Sequence, residues 1–302
     1  MTLRGVFAPI PTPFGADEGV DRHALSRNVG RWMRTPLSGL VVLGSTGEAP
    51  LLEDAEADAV IATVRDGVPA GRPLIAGTGR ESTPATVAAC HRAARLGVDA
   101  VLVRTPAFFR NVMTADALVR HYTAVADASP VPVLLYNVTM YTGVNLSPDA
   151  VARLSTHPNI AGMKESGADI AQISQLVSDA PEGFSVLAGS ATTFFAALVV
   201  GACGGVLALS AVVPDLCVQL YEWVQQRRYD DARALQQRLT PLARLLGAAH
   251  GVSGVKYALD RMGGVGGAAR APLGELSAEA KAQIQEQLAL VAAVGGPQLA
   301  RT

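Results

Sequence analysis

Lysine is scarce in this chain, and so is any concentration of positive charge. Only three of its 25 basic residues are lysines, Lys164, Lys256 and Lys281, and the others are arginines. The 302 residues carry a net charge of −1, and charged residues make up 17% of the sequence. Because no basic block is present, the sequence gives no electrostatic reason to expect a nucleic-acid partner.

Cysteine is also rare, which argues against a disulfide framework. The three residues Cys90, Cys203 and Cys217 lie far apart among apolar neighbours, as reduced thiols in a core do. The first residues lack the long apolar segment and the small-residue cleavage site of a secretory signal. We therefore expect a cytoplasmic protein.

One apolar stretch, Phe194–Val213, has about twenty residues without a formal charge, the length that spans a bilayer. Three glycines, Gly201, Gly204 and Gly205, interrupt this segment, and no lysine or arginine flanks it closely. The pattern favours a short helix, a glycine turn and a buried strand over a membrane helix. We therefore expect no association with a membrane.

Eight short apolar runs recur along the chain and alternate with helical patterns. Their starts lie about 20 to 35 residues apart, the spacing of repeated strand–helix units. The runs do not alternate with polar residues, which is typical of parallel strands covered on both faces. Eight such units predict a (β/α)₈ TIM barrel, although a doubly wound open sheet would give a similar pattern. The predicted strands are Gly5–Ile10, Gly39–Leu43, Pro73–Ala76, Ala100–Val103, Val131–Tyr136, Ile160–Lys164, Ser185–Ala188 and Gly205–Leu209.

After the eighth run the chain is helical in pattern. We therefore predict an α/β barrel over residues 1–228 that carries the active site, followed by a C-terminal helical region over residues 229–302. The late helical patterns are Leu216–Arg227, Asp230–Leu246, Val252–Arg261 and Ala278–Ala293.

Lys164 ends the sixth predicted strand, where a side chain would face the mouth of a parallel barrel. A chain rich in arginine has a substitute for plain positive charge, but arginine cannot form an imine and a partly neutral lysine amine can. A structural lysine that extends its amine to water remains the alternative. Lys256, in a helical pattern, and Lys281, among polar residues, suit an imine less well.

Two further polar features follow predicted strands. Gly44-Ser45-Thr46-Gly47 follows the second strand, and its hydroxyls and backbone N–H groups could hold a carboxylate, although such a sequence is also common in loops. Tyr136 ends the fifth strand, where it could transfer protons beside an amine or simply cover the barrel rim. If the fifth and sixth strands are neighbours, Tyr136 and Lys164 meet.

With these motifs the chain resembles the N-acetylneuraminate lyase and dihydrodipicolinate synthase superfamily of class I aldolases. The resemblance implies a TIM barrel, usually in a homotetramer, in which Lys164 forms a Schiff base with pyruvate and Tyr136 moves protons. It also implies that Ser45 and Thr46 receive the pyruvate carboxylate, and that neither a metal nor another cofactor is needed. Further residues expected to line the pocket are Ser166, Gly189, Ser190 and Leu207. The matching segments are Pro11–Phe14, Gly44–Glu48, Tyr136–Val138, Thr142-Gly143, Gly162–Ser166 and Gly189-Ser190.

Within the superfamily the chain is most similar to 4-hydroxy-2-oxoglutarate aldolase. The synthase ranks second because it usually carries an arginine before the Thr-Gly pair, and this chain has Tyr141 there. Phe108-Phe109 replaces a common tyrosine pair, and Thr139 replaces a common proline. These departures leave open a barrel that binds a keto acid without turnover. The segments similar to the aldolase are Ala76–Thr83, His157–Lys164 and Arg270–Leu273.

Two acidic residues beside these motifs, Glu48 and Glu165, are expected at the rim of the barrel or in an interface. The five histidines show no pairing at metal-ligand spacing, so the sequence predicts no metal site.

Overall fold

Eight parallel strands close into a barrel in the computed structural model, which describes residues 2–295. Each strand pairs with the next, and β8 returns to pair with β1. This closure excludes the open sheet and confirms the predicted TIM barrel. The strands are β1 Gly5–Pro9, β2 Gly39–Val42, β3 Leu74–Gly77, β4 Ala100–Arg104, β5 Val133–Asn137, β6 Ile160–Glu165, β7 Ser185–Ala188 and β8 Gly204–Val206.

Side chains that alternate along the strands divide the core into two layers. One set points into the barrel and includes Phe7, Val41, Leu102 and Leu134. The other set faces the surrounding helices and joins a larger cluster with their apolar stripes. Both faces of the strands are therefore buried, which explains why the sequence shows continuous apolar runs.

Local signals begin many of the barrel helices. Side chains of Asp21, Ser82, Thr114, Ser147 and Asp169 accept hydrogen bonds from backbone N–H groups of the first helical turn, which stabilises each helix start. The helices up to the eighth strand are α1 Arg22–Trp32, α2 Asp54–Gly67, α3 Thr83–Arg95, α4 Ala115–Ala128, α5 Thr139–Thr142, α6 Pro148–Leu154, α7 Ile170–Asp179 and α8 Phe194–Val199.

The segment from Phe194 to Val213 forms α8, a turn, β8 and a 3₁₀ turn, as predicted. Within residues 2–295 no helix is both long and apolar enough to cross a membrane. The eighth strand ends at Val206, earlier than the predicted Leu209, because the chain turns into the 3₁₀ segment Ala208–Ala211.

The last four helices are α9 Pro214–Gln225, α10 Tyr229–Arg244, α11 Gly251–Arg261 and α12 Ala278–Gly295. A π-helical stretch, Leu245–Ala249, separates α10 from α11 and shortens the helix predicted to reach Leu246. Apolar residues of this region pack into the same cluster as the barrel helices. Residue 228 therefore marks a change in sequence pattern within one continuous core, and the division into a barrel and a C-terminal helical region stays a prediction.

Candidate active site

The register of two neighbouring strands brings Lys164 and Tyr136 together. Tyr136 of β5 lies directly opposite Lys164 of β6, and each side chain is only 5% exposed. Lys164 Nζ donates a hydrogen bond to Tyr136 Oη at 3.2 Å and lies 4.3 Å from the ring centroid. An amine and a group that can carry its protons are therefore in direct contact at the carboxyl end of the barrel.

Ser45 extends this contact toward the second strand. Its Oγ lies 3.3 Å from Tyr136 Oη, and either oxygen can be the donor. The turn is held from outside the site, because Thr12 Oγ1 donates to the carbonyl of Gly47 at 2.8 Å. Within residues 2–295, the backbone N–H groups of Ser45 and Thr46 make no backbone hydrogen bond. Two hydroxyls and two N–H groups are thus available to an anion.

The surroundings of Tyr136 favour its ionised form. Burial by itself would raise the pKa of the phenol, but the Lys164 ammonium and the hydrogen bonds with Ser45 and Lys164 outweigh it. The pKa of Tyr136 is therefore lowered from its ordinary value of 10. A phenol of this kind gives up its proton more readily than a free tyrosine does.

Asn137 and Glu165 follow Tyr136 and Lys164 on their strands, and their side chains point away from the barrel interior. A hydrogen bond between them holds the ends of β5 and β6 together. Asn137 lies opposite Glu165, and Asn137 Nδ2 donates to Glu165 Oε2 at 2.7 Å. The carboxylate also accepts from the Gly167 N–H and from Gln172 Nε2. Burial raises the pKa of Glu165 although these hydrogen bonds oppose the shift. Glu165 is thus buried and structural rather than exposed at the rim, and the alternative of a position in an interface stays a prediction.

Ser166 and Gly189 form a close crossing beside Lys164. A Cβ atom on Gly189 would lie 1.9 Å from Ser166 Oγ, so only glycine fits there. Ser190 Oγ shares a hydrogen bond of 2.8 Å with Thr192 Oγ1. All three predicted residues, Ser166, Gly189 and Ser190, line the same cavity as Lys164.

Leu207 is the predicted pocket residue that the structure places elsewhere. It is 1% exposed and packs in the layer between strands and helices. Because side chains alternate along the chain, its neighbour Val206 points into the barrel, and Val206 and Ala208 line the cavity. The prediction was therefore displaced by one residue.

The cavity around Lys164 has a volume of about 600 Å³, which suits a small organic acid with its reaction partner. The barrel supplies one wall, with Ser45, Thr46, Tyr136 and Ser166. The C-terminal region supplies the other wall, which sequence analysis missed because its residues lie inside helical patterns. The lining residues of that wall are Ala243, Arg244, Leu246, Gly247, Ala248, Gly251, Val252 and Val255.

Glu48, also expected at the rim, is buried in an ion pair with Lys256. Lys256 Nζ lies 2.5 Å from Glu48 Oε1, and the two side chains are 1% and 0% exposed. The other carboxylate oxygen accepts the Arg270 N–H at 2.8 Å, and Lys256 lies over the ring of Phe14. Burial lowers the pKa of Lys256 although Glu48 opposes the shift. Lys256 is thus engaged away from the cavity.

The residues that depart from the common residues of the superfamily occupy two places. Thr139 and Tyr141 line the cavity that contains Lys164. Phe108 and Phe109 are 79% and 69% exposed, and their rings pack edge to face with centroids 5.0 Å apart. No cluster of three or more histidine, cysteine or carboxylate ligands occurs in the described part of the chain.

Comparison with known proteins identifies the family. The model of the dihydrodipicolinate synthetase family matches residues 2–290. A 4-hydroxy-tetrahydrodipicolinate synthase of Exiguobacterium sp. is 35% identical over 93% of this chain and 95% of its own. The synthase of Methanosphaerula palustris is 36% identical over 95% of this chain and 98% of its own.

Solved structures agree with the sequence relatives. A dihydrodipicolinate synthase of Bacillus anthracis superposes with a TM-score of 0.91 at 30% identity, covering 96% of this chain and 99% of the other. The 4-hydroxy-tetrahydrodipicolinate synthase of Methylacidiphilum fumariolicum superposes with a TM-score of 0.91 at 32% identity, covering 96% of each chain. These similarities lend no specific support to the 4-hydroxy-2-oxoglutarate aldolase. This chain belongs to the dihydrodipicolinate synthetase family and is a pyruvate-dependent class I aldolase.

Proposed function

We propose that this chain forms or breaks a carbon–carbon bond of a 2-oxo acid through an imine between Lys164 and pyruvate. The observation that carries the proposal is the contact of 3.2 Å between Lys164 Nζ and Tyr136 Oη inside the cavity. Lys164 is the one lysine among the three whose side chain lines this cavity. An amine, a proton carrier and an anion-binding turn together form the set that imine chemistry needs.

In the proposed reaction, Lys164 Nζ attacks the keto carbon of pyruvate, and the keto oxygen leaves as water. Tyr136 accepts and returns the protons that these steps move. Loss of a methyl proton from the protonated imine gives an enamine, whose carbon then attacks the aldehyde carbon of the second substrate. In the cleavage direction the substrate hydroxyl loses its proton, the aldehyde leaves, and the electrons of the broken bond move into the protonated imine to give the enamine. The enamine carbon takes up a proton to become a methyl group, and addition of water to the imine then releases pyruvate and the free lysine.

Ser45 and Thr46 hold the pyruvate carboxylate in this proposal. Their hydroxyls and N–H groups lie in a turn that follows β2, beside the phenol of Tyr136. Hydrogen bonds to a charged carboxylate contribute about 1.5 to 3 kcal/mol each. Such a cradle would place the keto carbon beside the amine and fix its orientation.

For the second substrate, the names of the relatives favour aspartate semialdehyde, as in 4-hydroxy-tetrahydrodipicolinate synthase. This choice reverses the ranking drawn from the sequence. Tyr141 keeps cleavage of 4-hydroxy-2-oxoglutarate as a second candidate, since it occupies the position where synthases usually carry an arginine. Both reactions share the imine on Lys164.

The two candidates are separated by turnover with purified protein. We expect consumption of pyruvate with aspartate semialdehyde, and loss of this activity by at least about 10³-fold in Lys164→Met. Release of pyruvate from 4-hydroxy-2-oxoglutarate at a higher kcat/KM would assign the second candidate. Binding of pyruvate with turnover of neither substrate would contradict both and leave a keto-acid-binding barrel.

A further inference from the structure

We infer that Arg244 binds a second carboxylate of the substrate, so that the site selects 2-oxo acids with a negative charge at both ends. This inference rests on the proposed imine at Lys164 and deepens it by naming the substrate class. The C-terminal helical region, through Arg244, would then contribute to substrate specificity together with the barrel.

The charge of the cavity lining is one-sided. Among the described residues that line it, the ionised side chains are Lys164 and Arg244, and neither aspartate nor glutamate is present. Glu165 and Glu48, the two carboxylates closest in sequence to the site residues, are held by Asn137 and Lys256 and do not line the cavity. A cavity lined by two cations and no carboxylate attracts an anion with two charges more strongly than one with a single charge.

The two cations belong to different walls. Lys164 lies on β6 of the barrel, and Arg244 is the last residue of α10. The following π-helical stretch places the small residues Gly247 and Ala248 along the same wall, which leaves room for a substrate beside the guanidinium. π-Helical stretches occur often at functional sites.

The guanidinium of Arg244 is available for binding. Arg244 is exposed, and it makes no hydrogen bond or ion pair within residues 2–295. Arg270, in contrast, is held by two contacts with Glu56, at 2.8 and 2.6 Å. A free guanidinium can bind a carboxylate through two parallel N–H groups.

Tyr141 lines the same cavity, and its phenol carries no positive charge that could pair with a carboxylate. A carboxylate at the distal end of the substrate would meet Arg244 while the pyruvate end binds at Lys164.

Two keto acids of equal chain length test this assignment without reference to turnover. The probes are 2-oxoglutarate, with two carboxylates, and 2-oxopentanoate, with one. For each, borohydride reduction traps the imine, and mass spectrometry gives the concentration for half-maximal trapping. We expect the half-saturating concentration of 2-oxoglutarate to be about 10-fold lower than that of 2-oxopentanoate in the wild-type protein, because the second carboxylate adds a charge-assisted contact.

Arg244→Gln should raise the half-saturating concentration of 2-oxoglutarate by about 10-fold or more and leave pyruvate and 2-oxopentanoate unchanged. For Arg244→Lys, the half-saturating concentration of 2-oxoglutarate should lie between those of the wild type and Arg244→Gln, because lysine keeps the positive charge and lacks the paired N–H groups. The matched control is Arg238→Gln, an exposed arginine of the same helix that does not line the cavity.

Equal effects of Arg244→Gln on both probes, or no effect on either, would overturn the inference. Failure of the wild-type protein to trap pyruvate would instead overturn the imine proposal on which it rests. The two failures are therefore distinguishable in one series of measurements.

Discussion

Tyr136 contributes the oxygen atom on which most of the site converges. Lys164 and Ser45 both contact Tyr136 Oη, at 3.2 and 3.3 Å. The ring is held in the barrel interior beside Leu134 and Leu102. Because the ring is fixed by packing, removal of the oxygen alone changes the chemistry of the site and leaves its shape.

Tyr136→Phe should therefore fold normally and lose about 10²- to 10⁴-fold in kcat, the range for removal of a proton-transfer group. Steady-state kinetics with pyruvate and the better second substrate measures the loss. Tyr122→Phe is the control, since Tyr122 is also buried but donates its O–H to the Val103 carbonyl outside the site. A kcat within about 2-fold of wild type in both variants would remove Tyr136 from the proton path.

The lowered pKa of Tyr136 has its own spectroscopic consequence. A tyrosine with a lowered pKa forms its phenolate at a pH below 10, the value for an unperturbed phenol. The difference between the absorbance titrations of wild type and Tyr136→Phe should show one phenol that ionises below pH 10. Burial raises the pKa of Tyr122, so this residue should not contribute there. Ionisation of Tyr136 at or above pH 10 would contradict the described environment.

At this scale the sequence was informative where a residue type is chemically unusual at its position. Lys164 and Tyr136 stand out because each ends an apolar run. Leu207 was misplaced because the alternation of a three-residue strand, β8, depends on where the strand ends. Arg244 gave no signal, since an arginine in a helical pattern is ordinary and only the fold shows which wall it joins.

At the scale of secondary-structure elements, one buried ion pair connects the C-terminal helices to the turn that follows β2. Glu48 follows Ser45, Thr46 and Gly47 directly, and its backbone has a positive φ of 57°. Lys256 of α11 holds its carboxylate at 2.5 Å. The position of the turn therefore depends on a helix more than 200 residues away in sequence.

Lys256→Met should leave Glu48 as a buried charge without its cation, at a cost of about 3 to 5 kcal/mol in the free energy of unfolding. Denaturant unfolding monitored by circular dichroism measures this loss in the free energy of unfolding. The double variant with Glu48→Gln removes the stranded charge and should recover a large part of the loss. A single variant within about 1 kcal/mol of wild type would contradict the described ion pair.

The sequence predicted the order of the elements well because strand and helix patterns are local. All eight strands lie within a few residues of the apolar runs, and α11 begins one residue before the predicted Val252 and ends at the predicted Arg261. The contact of α11 with the turn after β2 was not predictable, because it depends on how distant segments pack. The π-helical stretch after Arg244 was not predictable for the same reason, since the local sequence pattern continues as a helix there.

At the scale of the whole molecule, barrel and C-terminal helices share one core and one cavity. The expected association into homo-oligomers stays a prediction, which the exposed apolar side chains of Phe108, Phe109 and Val112 support. Sedimentation velocity should give a mass above that of the 31.2 kDa chain. A protein that stays monomeric at micromolar concentration would contradict it.

The imine at Lys164 is the claim on which the account of function depends. Incubation of the protein with pyruvate and borohydride, followed by digestion and mass spectrometry, locates the reduced adduct among the three lysines. We predict one adduct per chain, on Lys164, and none on Lys256 or Lys281. An adduct on either of the other two lysines, or no adduct at saturating pyruvate, would contradict the account.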